Sequence, residues 1–188
     1  MADHFDTMET RTPEERAADI AKMLPEQIAR AQALAGYGDS LAGVDAKSIT
    51  SPEALASLPV LRKSDLSKAQ KAAPPFGGLT SRSANRFAHV FQSPGPIYEP
   101  GQVAKDWWRA GRFLHAAGIG KDDIVQNCFS YHLTPAGMMF ENGARAVGAT
   151  VLPAGIGQTE LQAQAAHDVG TTAYAGTPDY LKIILDIQ

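Results

Sequence analysis

The chain has little to offer covalent or metal-based chemistry. Its 188 residues include one cysteine, Cys128, which excludes an internal disulfide and a cysteine-based zinc site. It carries no excess of positive charge. Its 17 Lys and Arg against 20 Asp and Glu leave a net charge of -3, so no electrostatic case exists for nucleic acid or an acidic membrane surface. No apolar run approaches the ~20 residues that span a bilayer. The opening MADHFDTMETRTPEER lacks the apolar core of a secretory signal. What remains is 44% hydrophobic and 20% charged, ordinary for a soluble globular protein. The expectation is a cytoplasmic protein of one domain, or one plus a small appendage.

The first part of the chain is helical in pattern. Residues 1–11 are polar and expected to fray. Thr12-Pro13-Glu14-Glu15 has the form of a capping box with proline at the first helical position. Ile20, Leu24, Ile28, Ala31 and Leu34 follow at helical spacing; Pro25 should kink or split this helix, and Gly36 and Gly38 should end it. Ser51-Pro52-Glu53 starts a short helix, and Arg62 to Leu66 another with Ser64 as cap. PPFGGLTSRS (74–83) has the composition of a linker. A small helical N-terminal layer is therefore placed at 1–75 and an α/β subdomain at 76–188.

After residue 86 strands alternate with helices. FAHVF (87–91), DIVQNCF (123–129), ATVLPAG (149–155) and TTAYAG (171–176) have strand character. Helices are predicted over 102–117, with Val103, Trp107, Ala110 and Leu114 on one face, and over 136–148 and 159–169. Thr159 and Gln162 fit a capping box, and Thr177-Pro178-Asp179 starts a last helix, LKIILDI. The fold class is α/β, with a mostly parallel sheet of βαβ units.

In such sheets ligands bind beyond the carboxyl ends of the strands. Four loops qualify, 92–101, 129–135, 153–158 and 176–178, marked by the stretches SPGPIYEPG, SYHLTPAG, PAGIGQTE and GTPDY. The first is predicted to join a strand to a helix, where backbone N–H groups and the helix dipole favour a phosphate. Its composition argues the other way. Three prolines lack an N–H, no lysine is present, and Glu99 would repel a phosphate.

These loops, with ETRTPEER and ITSPEALASLPVLRKSDL ahead of them, resemble the phenylacetate–CoA ligase-type members of the adenylate-forming superfamily. The resemblance runs along nearly the whole chain and rests on the order and spacing of several motifs. It implies part of that family's larger N-terminal domain. It also implies a two-step reaction: an aryl or acyl carboxylic acid attacks the α-phosphate of ATP, and the acyl-adenylate passes to the thiol of coenzyme A. Mg²⁺ and cationic side chains stabilise the charge that develops. Carried over residue by residue, Ser93 and Gly95 take the nucleotide-loop position, while Pro94, Pro96, Ile97, Tyr98 and Glu99 depart from it. Tyr131 and His132 fall on the loop that lines the acyl pocket. Gly155, Gly157, Gln158, Thr159 and Glu160 match the Gly-rich turn before a helix, and Thr177 and Pro178 a site-edge turn. No catalytic residue and no metal ligand is carried over. The family's Tyr-Gly-x-Thr-Glu-like motif, its ribose-binding Asp and the Lys of its mobile C-terminal domain lie downstream of Gln188. The 188 residues are expected to be inactive alone and to need no cofactor. They are either part of a longer protein or a shortened relative. In the second case the fold serves as a non-catalytic small-ligand-binding or interaction protein, with its incomplete edge open to self-association.

Other residues have plainer readings. His89 sits in an alternating strand as a satisfied side chain, and His115 and His167 are surface histidines without metal spacing. Cys128 is expected to be a buried, inert thiol. Trp107 is assigned to the core, Trp108 to the layer edge, Met138-Met139-Phe140 to packing and Glu141 to solvent. Ser93 lacks a preceding glycine at position 91, which a hydrolase nucleophile elbow needs. GIGQTE has too few glycines for a dinucleotide fingerprint.

Overall fold

A computed structural model describes residues 3–187. The chain forms two compact units, residues 7–100 and residues 3–6 with 101–187.

In the first unit, α1 (Pro13–Gln32) starts at a complete capping box. The Thr12 hydroxyl accepts from the Glu15 N–H, and the Glu15 carboxylate accepts from the Thr12 N–H at 2.8 Å. Thr12→Ala is expected to cost about 1 kcal/mol, read as a shift in denaturation midpoint. The helix runs through Pro25 without a break. It ends at Gln32, ahead of the two glycines, which belong to a separate turn, α2 (Ala35–Gly38). Close contact explains Gly36: a Cβ there would lie 2.4 Å from the Gly77 carbonyl oxygen, and its N–H donates to Gly78 at 3.0 Å. Ser51 caps α3 (Pro52–Ala56), as expected. α4 (Lys63–Ala72) begins one residue before Ser64, with Arg62 at the cap position and no side-chain cap. The stretch 74–83 is packed: Phe76 is buried, edge-to-face on Phe87 at 5.6 Å.

The segment SPGPIYEPG differs most from expectation. β1 (His89–Ser93) and β2 (Ile97–Gly101) pair with each other in a two-stranded sheet. A three-residue connection permits only an antiparallel hairpin. Tyr98 supplies the reason that a strand forms here. Its N–H donates to the Gln70 Oε1 at 2.8 Å, and its carbonyl accepts from the Gln70 Nε2 at 2.8 Å. The buried Gln70 amide on α4 thus serves β2 as a one-residue strand partner. His89 stacks on Phe91 at 5.5 Å, but its buried Nδ1 has no hydrogen-bond partner, contrary to the satisfied histidine expected.

The second unit holds the parallel sheet, in the order β4 (Thr150–Leu152), β3 (Ile124–Asn127), β5 (Ala173–Ala175). Val125 sits between Val151 and Ala173, and Asn127 opposite Ala175. The predicted first strand is not part of it. Alternate strand residues face opposite layers. Val125, with Ala149 and Ala175, packs against Leu114 of α5 (Gly111–Ala116) and Ala144 of α6 (Ala136–Ala146). Cys128 packs with Ala163 of α7 (Thr159–Val169) and Ile184 of α8 (Pro178–Leu185).

The helix predicted over 102–117 is reduced to α5. Asp106 and Arg109 adopt left-handed φ of 52° and 57°, and the Asp106 carboxylate accepts from the Gly111 N–H at 2.8 Å. A side chain that bonds nearby backbone competes with the helix ladder. Ala110 and Leu114 are buried as expected, whereas Val103 and Trp107 are exposed. Trp108 is the more covered tryptophan. No helix among the described residues is long and apolar enough to cross a membrane.

Candidate functional site

Three of the predicted loops meet at the carboxyl end of the parallel sheet. The Gly155 N–H donates to the Asn127 carbonyl at 2.9 Å, and the Cys128 N–H to the Ala175 carbonyl at 2.7 Å. These bonds tie residues 153–158 and 176–177 to the strand that leads into 129–135.

Asn127 lies at the centre, with no exposed surface. Its Nδ2 donates to the Tyr131 hydroxyl at 2.8 Å and to the Gly137 carbonyl at 2.7 Å, and its Oδ1 accepts from the Phe129 N–H at 3.2 Å. The Tyr131 ring lies over Gly137, where a Cβ would approach it to 2.8 Å. Burial raises the ionisation of this phenol far above its usual range, and the nearby charge of Glu141 adds to the effect. Glu141 therefore points toward Tyr131 rather than only to solvent. His132 is exposed, and its backbone closes a turn, its N–H donating to the Ser130 Oγ at 3.1 Å. Phe140 stacks on Phe129 at 4.3 Å, the packing role expected of it.

The Gly-rich turn is left-handed at three positions, Gly155 (φ 66°), Gly157 (φ 79°) and Gln158 (φ 51°). Gln158 stands at the start of α7 and makes no side-chain cap; Thr159 is already helical. The Thr159 Oγ1 lies 3.5 Å from the Tyr180 hydroxyl, which donates to the Gly157 carbonyl at 3.0 Å. Gln162 does not close a capping box. It is buried, and its Nε2 faces the carbonyls of Gly157 (2.8 Å), Gly155 (3.1 Å) and Ala154 (3.3 Å). Its Oε1 accepts from the Gln126 Nε2 at 3.3 Å and the Cys128 Sγ at 3.2 Å. The buried Gln162 amide thus serves three carbonyls on the inner side of the turn.

Asn127, Gln126 and Gln162 were not among the predicted site residues. The available signal was the amide pair inside DIVQNCF, since a parallel strand covered on both faces is normally apolar throughout. Cys128 matches its expected role. Burial pushes its thiol up to about 11. It is expected to resist a disulfide thiol reagent at pH 8 in the native protein and to react fully once denatured.

Comparison with known proteins places the chain in a family. The chain is 30% identical over 152 residues to the phenylacetate-coenzyme A ligase of Thermus thermophilus, covering 77% of this chain and 33% of that one. It is 31% identical over 151 residues to that of Aromatoleum evansii, with the same coverage of 77% and 33%. The chain belongs to the phenylacetate–CoA ligase-like, adenylate-forming family. It spans about a third of the length of the curated relatives it matches. The solved 2-hydroxyisobutyryl-CoA ligase in its postadenylation state, in complex with 2-HIB-AMP, superposes with a TM-score of 0.81 at 25% identity, covering 93% of this chain and 39% of that one. The same ligase with 2-HIB-AMP and CoA in the thioesterification state gives 0.83 at 23%, covering 95% and 40%, a likeness of fold alone. A scan against protein-family models finds no match.

Within this family chain, the hairpin bearing Ser93 and Gly95 does not fit a triphosphate. The buried Ser93 hydroxyl donates to the Glu99 carboxylate, so the one hydroxyl of the turn is engaged by an anion already. Pro94 and Pro96 flank Gly95 and offer no N–H. Among the described residues, no group of three or more His, Cys, Asp or Glu could hold a metal ion.

Proposed function

We propose that this chain supplies the acid-binding wall of an AMP-forming aryl- or acyl-acid–CoA ligase. The observation that carries the reading is Tyr131, an aromatic ring fixed at the carboxyl end of the parallel sheet beside the Gly-rich turn. In a complete ligase, ATP with Mg²⁺ activates the carboxylate as an acyl-adenylate and coenzyme A receives the acyl group. The residues of this chain hold the acid. The Tyr131 ring offers an aromatic face, Gly155 and Gly157 let a ligand approach bare backbone, and His132 and Gln158 stand exposed at the rim with Thr159 behind them. No step is assigned to the hairpin of Ser93 and Gly95. The 188 residues alone are not expected to complete adenylation, and reliance on ATP and coenzyme A suits a cytoplasmic protein.

Acid-dependent exchange of labelled pyrophosphate into ATP tests the ligase reading. The 188-residue chain should be silent, and the product of the whole native reading frame should exchange. No exchange by that product with any aryl or short acyl acid would overturn the reading.

A second reading is favoured by Ile183, Leu185 and Ile187, which are exposed along α8 and beyond it. An apolar surface of this kind suits association, here with a second copy of a non-catalytic binding protein. Strictly monomeric behaviour in size-exclusion chromatography at high concentration would count against it.

A further inference from the structure

We infer that Asn127 is a positioning residue of this site: its buried amide holds the Tyr131 ring so that a bound acid meets the ring face, while the phenol hydroxyl stays committed to the protein. The inference rests on the acid-binding role proposed for Tyr131.

The argument is one of hydrogen-bonding capacity. A phenol has one proton to give and two lone pairs. The Tyr131 oxygen accepts one Asn127 N–H at 2.8 Å. The second Asn127 N–H goes to the Gly137 carbonyl at 2.7 Å, and its oxygen takes the Phe129 N–H at 3.2 Å. The Asn127 amide is thus used within the protein, one of its N–H groups on the Tyr131 oxygen, and Asn127 has no exposed surface through which to meet a ligand. The ring is held on one side by Gly137, where a Cβ would lie 2.8 Å away, and faces Gly155, where a Cβ would lie 3.9 Å away. The Asn127 carbonyl also holds the Gly155 N–H at 2.9 Å. One buried residue therefore sets the aromatic loop, the first turn of α6 and the Gly-rich turn together. Losing its two N–H groups would leave the ring free to turn away from the turn it faces.

The test is a double-mutant cycle with phenylacetic acid as probe, on the 188-residue chain. The variants are Asn127→Leu, Tyr131→Phe and the pair, with Asn127→Ser as replacement should the leucine variant fail to fold. Affinity is read from chemical-shift titration, and the Tyr174 and Tyr180 ring signals report that the sheet is intact. Each single variant is expected to weaken phenylacetic acid about 10-fold, and the pair no more than either alone, because both act through one ring. Fold-changes that multiply in the pair would overturn the inference. So would a 10-fold loss in Tyr131→Phe with wild-type affinity in the Asn127 variant, which would place the hydroxyl on the ligand. Should the wild type bind no phenylacetic acid, the acid-binding reading fails, and the ring spectrum decides on Asn127. Tyr131 ring signals, assigned by their loss in Tyr131→Phe, are expected to move to exposed-tyrosine positions in the Asn127 variant. Unchanged positions would overturn the inference.

Discussion

Replacing Gln162 by leucine is expected to lower the unfolding free energy by about 3 kcal/mol, a large share of the ~5–15 kcal/mol typical of a small protein. The side chain is buried and serves five partners. Its nitrogen faces the carbonyls of Ala154, Gly155 and Gly157, and its oxygen accepts from Gln126 and Cys128. Leucine fills similar space and bonds none of them. The Gln126 amide, itself buried, loses its side-chain acceptor, and the turn loses its donor. A buried polar group left without a partner costs about 1–3 kcal/mol. The effect should be uneven. Amides of residues 154–158 should exchange with solvent much faster, while those of β3 follow only the global loss. Uniform exchange would show that Gln162 stabilises the core without shaping the turn. A loss under 1 kcal/mol in denaturant unfolding would show that the turn stands without it.

The second large effect is expected at Gly143, on the buried side of α6. A Cβ there would lie 2.6 Å from the Ala110 Cβ and 3.0 Å from the Leu114 Cδ1. The Ala110 contact is the harder one, since a methyl on a buried backbone has no rotamer to yield. Gly143→Val should force α5 from α6 and cost about 3 kcal/mol, at the upper end for an overpacked core. Gly143→Ala should cost less and in the same direction, although alanine favours the helix by about 1 kcal/mol. A stabilised alanine variant in thermal unfolding would mean that the two helices separate without loss.

The parts of the fold carried by local rules were legible in the residues. The Thr12 capping box, the Ser51 cap and the alternation of β3, β4 and β5 with α6, α7 and α8 follow from spacing and cap chemistry. What was not legible depended on distant partners. Nothing near Tyr98 shows that Gln70, twenty-eight residues earlier, will pair with its backbone, so IYEPG looked like a loop instead of a strand. Gly36 looked like a helix stop because its partner is the Gly77–Gly78 backbone. The periodicity of Val103, Trp107 and Ala110 was real in letters, but the Asp106 carboxylate takes the Gly111 N–H at the start of α5 instead. The site divides in the same way. Tyr131 and the Gly-rich turn could be placed by their order in the chain. The buried amides that hold them, Asn127 and Gln162, could not, because a polar residue in a covered strand or helix shows its purpose only when its acceptors are known. Ser93 and Gly95 lie in a hairpin where the Ser93 hydroxyl is taken by Glu99.

The central claim is that the carboxyl end of the parallel sheet receives a carboxylic acid against Tyr131. Amide chemical shifts of the 188-residue chain, followed while phenylacetic acid is added, test it most directly. Saturable shifts confined to residues 129–137 and 153–159, and lost in Tyr131→Ala, are the predicted result. Shifts that never saturate would contradict the claim. So would shifts centred on the groove of about 410 Å³ that is lined by His167, Thr172 and Leu181.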